Sequence, residues 1–425
     1  MGHILPTSAC AITILLFGGS IRHPPYCRAF HLVARSPRTT APKTTTTTTS
    51  HRHPLTTPHV FRHHLYLAHP SILDRRPTLS PPMSSLLSSI SSTGNLVAVP
   101  DAISAHVRSK NDDGGRNIFV DGSWHMPMGP SPRNARSEFI SGPRVPGAVY
   151  FDIDDVSSPH PSSLPHMRPS STMFARAMDR MGISPEDTVY VYATEGCAFA
   201  HRAYWTFAFG GYHDPRRVKL VQGSLDEWVR CGGMLEREAI LEGDRRLFRV
   251  SELIANDDGR LPRYVPFRKD YGGAGDRSVV DVDVVLEVVD GSATDASTTI
   301  VDARSAGRFH GRDSEPRPGL RGGHIPGSIN VPFVSLLDPT DVTKFKPMNE
   351  VRAIFVEAGI EPLVTDGDDD ARPRRIICTC GSGVTAAALA VALEECGLRE
   401  KGEISLFDGS WIEWGGRDDT PIATD

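Results

Sequence analysis

No Cys-x-x-Cys pair occurs in these 425 residues, and the seven cysteines are scattered at positions 10, 27, 197, 231, 378, 380 and 396. Without that spacing neither a zinc ribbon nor a thioredoxin-type redox pair is indicated. An odd number spread over so long a chain also argues against a disulfide framework and for a reducing compartment. Acidic residues are nearly missing from the first 100 positions, which hold nine Lys/Arg and only Asp74. The remainder carries 37 Lys/Arg against 50 Asp/Glu, so the body is acidic and a nucleic-acid partner is electrostatically disfavoured. Long hydrophobic runs are lacking too. The apolar stretch 11–17 has seven residues, far short of a membrane span.

What the first 95 residues do contain is Arg, Ser, Thr, Pro and His, with a run of threonines at 44–49 and a serine-rich stretch at 84–92. Such a composition buries too little apolar surface to offset the entropy of ordering it. Arg-rich, Ser/Thr-rich and acid-poor is the make-up of an organelle transit peptide. Residues 1–95 are therefore expected to be a disordered targeting segment, addressed to the mitochondrion, with the plastid as alternative. Translation from Met83 would instead leave a cytosolic form. The same composition accounts for His51, His53, His63 and His64 without invoking a metal.

Beyond about Ile118, short β-rich runs alternate with helical ones, the pattern of a parallel sheet covered by helices. Strands are expected at 188–192, 218–221, 299–302, 375–379 and 404–407. Helices are expected before Gly182 (where Phe174, Met178 and Met181 recur at helical spacing), near 200–209, at 351–358 and from about 384 to 396. The landmarks come twice. Val120-Asp121-Gly122 returns as Val301-Asp302-Ala303, Val145-Pro146-Gly147 as Ile325-Pro326-Gly327, and Gly223-Ser224-Leu225 with Trp228 as Gly409-Ser410-Trp411 with Trp414. The fold class is thus α/β with two related domains, 96–235 and 279–425, joined by a Gly-, Asp- and Arg-rich linker at 236–278.

Chemistry concentrates in Cys380-Gly381-Ser382-Gly383-Val384-Thr385, between an expected strand and an expected helix. A sulfur at the mouth of a helix meets the positive end of its dipole and several unpaired N–H groups. Two glycines let the backbone curl so that those groups converge and stabilise negative charge on it. A buried structural cysteine beside a turn is the bland alternative. A phosphatase is argued against by Ala386, which stands where an arginine would have to grip phosphate.

This loop resembles the active-site loop of the rhodanese family, and its Gly-Ser-Gly filling is similar to that of the mercaptopyruvate sulfurtransferases. Val301-Asp302-Ala303-Arg304, Gly307-Arg308-Phe309, Gly323-His324-Ile325-Pro326-Gly327 and Asp408-Gly409-Ser410-Trp411 match the family as well. The resemblance implies two tandem rhodanese-like domains, each a mainly parallel sheet flanked by helices. It also implies a Cys380 persulfide loaded from 3-mercaptopyruvate with release of pyruvate. A thiol such as thioredoxin, or cyanide, would accept the sulfur, and no metal or organic cofactor is required. Thiosulfate as donor, or a non-catalytic module that binds a partner or senses redox state, are the alternatives.

Further roles follow from the same resemblance. Arg308 and Arg317 would bind the donor, their guanidinium forks suiting its carboxylate, unless they merely pair at the surface with Glu315. Gly381, Gly383, Val384 and Thr385 would complete the binding loop. Asp154 and His166 would join Ser382 in a relay that polarises the keto group or moves a proton, unless His166 is an ordinary loop histidine. The first domain has Ala193 at the cysteine position, with Cys197 taken as packing. Arg144 departs from the family's histidine, and Cys378 is either a buried strand thiol or a redox partner of Cys380.

Overall fold

A computed structural model of the chain describes residues 93–127, 132–241, 243–249, 259–267, 276–293, 297–362 and 375–424. Most of the expected targeting segment, with Met83 and the histidine pairs, lies outside the described residues.

Two five-stranded sheets, parallel throughout, share one topology. In the first half, β1 (Leu96–Ala98), β2 (Asn117–Asp121), β3 (Val149–Tyr150), β4 (Thr188–Tyr192) and β5 (Val218–Gln222) lie in the order β1-β5-β4-β2-β3. In the second, β6 (Val279–Val280), β7 (Thr298–Asp302), β8 (Ile329–Asn330), β9 (Arg375–Thr379) and β10 (Ile404–Phe407) follow as β6-β10-β9-β7-β8. The register repeats as well, since Asp121 pairs with Tyr192 and Asp302 with Thr379. Residue 193 therefore stands where residue 380 does, as the sequence comparison expects. Central β4 is buried at all five positions, and β9 at four of five, because helices cover both faces of a parallel sheet.

Helix ends obey local chemistry. Helix α3 (Ser171–Met181) starts where Ser170 Oγ accepts from Met173 N–H at 3.2 Å and stops at left-handed Gly182, burying Phe174, Met178 and Met181. The helix after the cysteine, here α9 (Ala386–Glu395), ends in a Schellman motif. Gly397 N–H donates to Glu394 O at 2.9 Å and Leu398 N–H to Leu393 O at 3.1 Å. Its alanines are buried and let it approach α4 (His201–Ala208) of the first half closely. One apolar cluster consequently runs from Val120 and Trp205 to Leu389 and Leu406.

Two features add to the sequence reading. Regular structure begins before Ile118, with β1 on the sheet edge and α1 (Val99–Arg108) packing Val99, Ala102 and Ala105 inward. The described part of the linker is not free chain, for Ile240, Leu247, Phe248 and Tyr264 are buried. Tyr264 lies against the first domain, its hydroxyl donating to Tyr212 O at 3.1 Å. The unusual Arg144 explains the linker's start. Its buried guanidinium bonds to Phe139 O at 2.8 Å and to Glu236 at 2.7 Å, while the two backbones form an antiparallel bridge. The corresponding bridge in the second domain joins His324 to Ala423, so Arg144 with Glu236 replaces a histidine by an ion pair.

Candidate active site

Cys380 leaves the end of β9 and is almost fully buried, with Ser382, Gly383 and Val384 buried beside it. Carbonyls of this loop are tied outward. Cys380 O accepts from Trp411 N–H and Gly381 O from Ile412 N–H, both at 3.0 Å, and Gly383 O accepts from Arg202 at 3.2 Å. In a planar trans peptide the N–H points away from the C=O. The N–H groups of Gly381, Ser382 and Val384 are thereby turned away from those partners. Among the described residues none accepts a hydrogen bond from the N–H of Gly381, Ser382, Gly383, Val384 or Thr385. Free donors converging before a helix constitute an anion cradle.

The loop floors a cavity of about 170 Å³, the share of five or six waters at roughly 30 Å³ each. Trp124, Phe199 and Phe333 give it apolar walls, and Arg308, Arg317 and Ser382 give it polar ones. Both arginines predicted to bind the donor thus reach the cysteine's own cavity. Arg308, on the short helix α7 (Ala306–Phe309), also pairs with buried Glu315 at 2.6 Å, as the surface-pairing alternative anticipated. Glu315 is shared with Arg304, which pairs with Asp302 at 2.7 Å and lies over the Trp411 ring at 4.0 Å. Arg304 therefore supports the loop rather than offering a free fork. Burial pulls Arg317 below the ordinary guanidinium range, against the attraction of Cys380, while the like charge of Arg308 adds to the lowering. A desolvated cation facing a sulfur is poised to take up an anion.

The expected relay is assembled only in part. His166 Nδ1 stands 2.6 Å from Asp154 Oδ1, and Trp124 Nε1 donates to Asp154 Oδ2 at 2.8 Å. Partial burial works to raise the Asp154 carboxyl, but His166, Trp124 and the Arg317 charge outweigh it and hold the group below its usual value. Ser382 lines the cavity, whereas Asp154 and His166 do not, and among the described residues no hydrogen bond joins Ser382 to His166. His166 lies behind Trp124, ring centroids 5.0 Å apart, with its backbone in the left-handed region at φ +60°. The pair is linked to the cavity through Trp124 and Arg317 instead of through the serine.

Two further thiols lie in the core. Cys378 is fully buried on β9, and burial drives it far above the ordinary thiol range. Cys197 is buried with its Sγ 3.3 Å from Trp124 O, and burial raises it too.

Sequence reasoning missed Arg202 and its pairing with Asp408, a residue it noted only within the Asp408-Gly409-Ser410-Trp411 motif. The two side chains pair across the two halves at 2.7 Å, both buried. One signal was available, because an arginine in the apolar stretch of α4 must have an acid partner if it is buried.

Known proteins resemble this chain over most of its length. The family model described as a rhodanese-like domain matches residues 285–417. The 3-mercaptopyruvate sulfurtransferase of Escherichia coli is 34% identical over 306 residues, 72% of this chain and 91% of that protein. The Arabidopsis thaliana thiosulfate/3-mercaptopyruvate sulfurtransferase 1, mitochondrial, is 32% identical over 305 residues, 72% of this chain and 73% of that one. Among solved structures, a crystal structure of an Escherichia coli 3-mercaptopyruvate sulfotransferase superposes with TM-score 0.52 at 29% identity, covering 75% of this chain and 98% of that chain.

Proposed function

Because this chain belongs to the tandem-domain rhodanese sulfurtransferases, we propose that it moves sulfur from 3-mercaptopyruvate through a persulfide on Cys380 to a thiol or cyanide acceptor, releasing pyruvate. One observation carries the reading: Cys380 opens onto a small cavity with two arginines and a ring of backbone N–H groups that have no acceptor among the described residues.

Arg317, seconded by Arg308, holds the donor carboxylate and keto oxygen. The Cys380 sulfur attacks the donor sulfur, forming an S–S bond. The donor C–S bond breaks, and its electron pair leaves on the three-carbon fragment as the enolate of pyruvate. Arg317 stabilises that charge, and Ser382 on the cavity wall relays the donor's thiol proton to the fragment. Asp154 and His166 fix Trp124 and balance Arg317. The loop N–H groups then hold the charge of the outer sulfur. An acceptor thiolate attacks that sulfur, the S–S bond breaks, and the electron pair returns to Cys380.

Selection of mercaptopyruvate is supported by charge. Gly381 and Ser382 add no cation after the cysteine, and Glu315 already engages Arg308, so the site suits a single carboxylate better than a dianion. The Arabidopsis relative's double name keeps thiosulfate as a second donor. Initial rates of pyruvate release from mercaptopyruvate and of sulfite release from thiosulfate decide between them. Mercaptopyruvate is expected to give the higher kcat/KM, and the reverse order would overturn the donor assignment. A mitochondrial address completes the proposal, resting on the composition of residues 1–95. Fusing those residues to a fluorescent protein should send it to mitochondria, and plastid or cytosolic signal would overturn the address.

A further inference from the structure

The first domain has Ala193 at the cysteine position, yet one of its side chains hydrogen-bonds directly to the cysteine loop. Arg202, on α4, is 1% exposed and donates three side-chain hydrogen bonds among the described residues. Its guanidinium donates to Asp408 Oδ1 at 2.7 Å, to Gly383 O at 3.2 Å and to His166 O. Asp408 takes a second bond from the first domain, the N–H of Arg168 at 2.5 Å. Of the three outward-tied loop carbonyls, those of Cys380 and Gly381 are held from within the second domain, by Trp411 and Ile412. Only that of Gly383 is held from the first.

Gly383 makes this tie consequential. Its φ is +78°, and a Cβ there would lie 3.0 Å from Arg202 Nη1, so the peptide is pressed against the guanidinium. The Gly383 carbonyl and the Val384 N–H belong to one planar unit. Fixing the first outward fixes the second inward, and a glycine peptide without that hold is free to rotate. The arginine fork reaches Gly383 from Nη1 and Asp408 and His166 from Nη2, whereas an ammonium group donates from a single nitrogen and cannot reproduce that spacing.

We propose that Arg202 is a positioning residue for the sulfur chemistry, by which the first domain aims the Val384 N–H at the charge borne on Cys380. The inference rests on Cys380 being the nucleophile, as argued above. It assigns the Arg202–Asp408 pair a task beyond joining the domains, exerted by a residue that does not line the cavity.

Removing Arg202 outright would strand buried Asp408, so the test uses Arg202→Lys, which keeps the charge and loses the fork. Arg168→Gln serves as the matched control. Its side chain joins Asp276 at 2.7 Å and Ser278 at 3.0 Å, outside the cysteine loop. Three quantities are measured on the full chain: single-turnover sulfur loading from mercaptopyruvate, steady-state KM, and the rate of Cys380 alkylation by iodoacetamide at pH 7. For Arg202→Lys, loading should fall about tenfold to a hundredfold, less than the ~10²–10³ for outright loss of an oxyanion donor, because the Val384 N–H is misaimed and not removed. Alkylation should slow with it, while KM stays within about threefold because the donor-binding arginines are intact. Arg168→Gln should alkylate at the wild-type rate. Wild-type loading in Arg202→Lys, or equal slowing of alkylation in both variants, would overturn the positioning role. Absence of loading in the wild-type protein itself would instead sink the sulfurtransferase reading on which it stands.

Discussion

At Gly383 the backbone sits in the left-handed region, and an added Cβ would also crowd Asp408 O at 3.1 Å. Gly383→Ala is therefore expected to lower kcat/KM for sulfur transfer by about a hundredfold or more, through misplacement of the loop. The protein should remain folded by circular dichroism. The two cavity arginines are unequal. Arg308 already has Glu315 at 2.6 Å, whereas Arg317 faces Cys380 and Asp154. Arg317→Gln should raise KM for mercaptopyruvate by about tenfold to a hundredfold, the cost of a charged hydrogen-bond partner, and Arg308→Gln by less. Steady-state kinetics of the two variants checks the order. Cys380, its loop and these arginines were legible in the sequence because they lie in short contiguous motifs. Arg202 and the Asp154–His166 pair's distance from Ser382 were not, since both depend on how two domains pack.

Among the elements, the buried strands were read almost residue for residue, because continuous apolar runs bounded by turns allow little choice. The three-residue strand β1 and the helix after it escaped notice for opposite reasons. The strand is too short to show a pattern, while α1 offered Pro100 in its first turn and Val99, Ala102 and Ala105 on one face. The linker was read from its polar composition, but Arg144 draws its first residues into an antiparallel bridge. Glu236 there accepts from both Arg144 and Arg246. Burial acts to raise the Glu236 carboxyl, and those two hydrogen bonds overcome it, taking the group from 4.5 to about 2. A carboxyl lowered on folding contributes stability that is present above its ordinary value and lost as pH falls toward the folded value. Glu236→Gln should thus lower the melting temperature by a few degrees at pH 7, and the gap to wild type should close between about pH 4.5 and 2. Melting curves across that range test it.

For the whole molecule, the repeat of strand order and register describes two domains, but the apolar core does not divide with them. Residues of both halves share one cluster, with α4 packed on α9 and the Arg202–Asp408 pair buried between. Two such domains should unfold together. Calorimetry is expected to show a single transition with equal calorimetric and van't Hoff enthalpies, and two separated transitions would mean that the shared core adds little. Tandem architecture was visible in the doubled motifs. The fusion of the cores was not, because burial between domains leaves the same apolar pattern as burial within one.

The central claim is that Cys380 carries the sulfur. Protein treated with 3-mercaptopyruvate, and its Cys380→Ser variant, should be compared by peptide mass under non-reducing conditions while pyruvate is counted. The account predicts a gain of one sulfur atom on the Cys380 peptide, matched by one pyruvate released, with neither in the variant. Sulfur on another cysteine, or pyruvate release undiminished by Cys380→Ser, would contradict it.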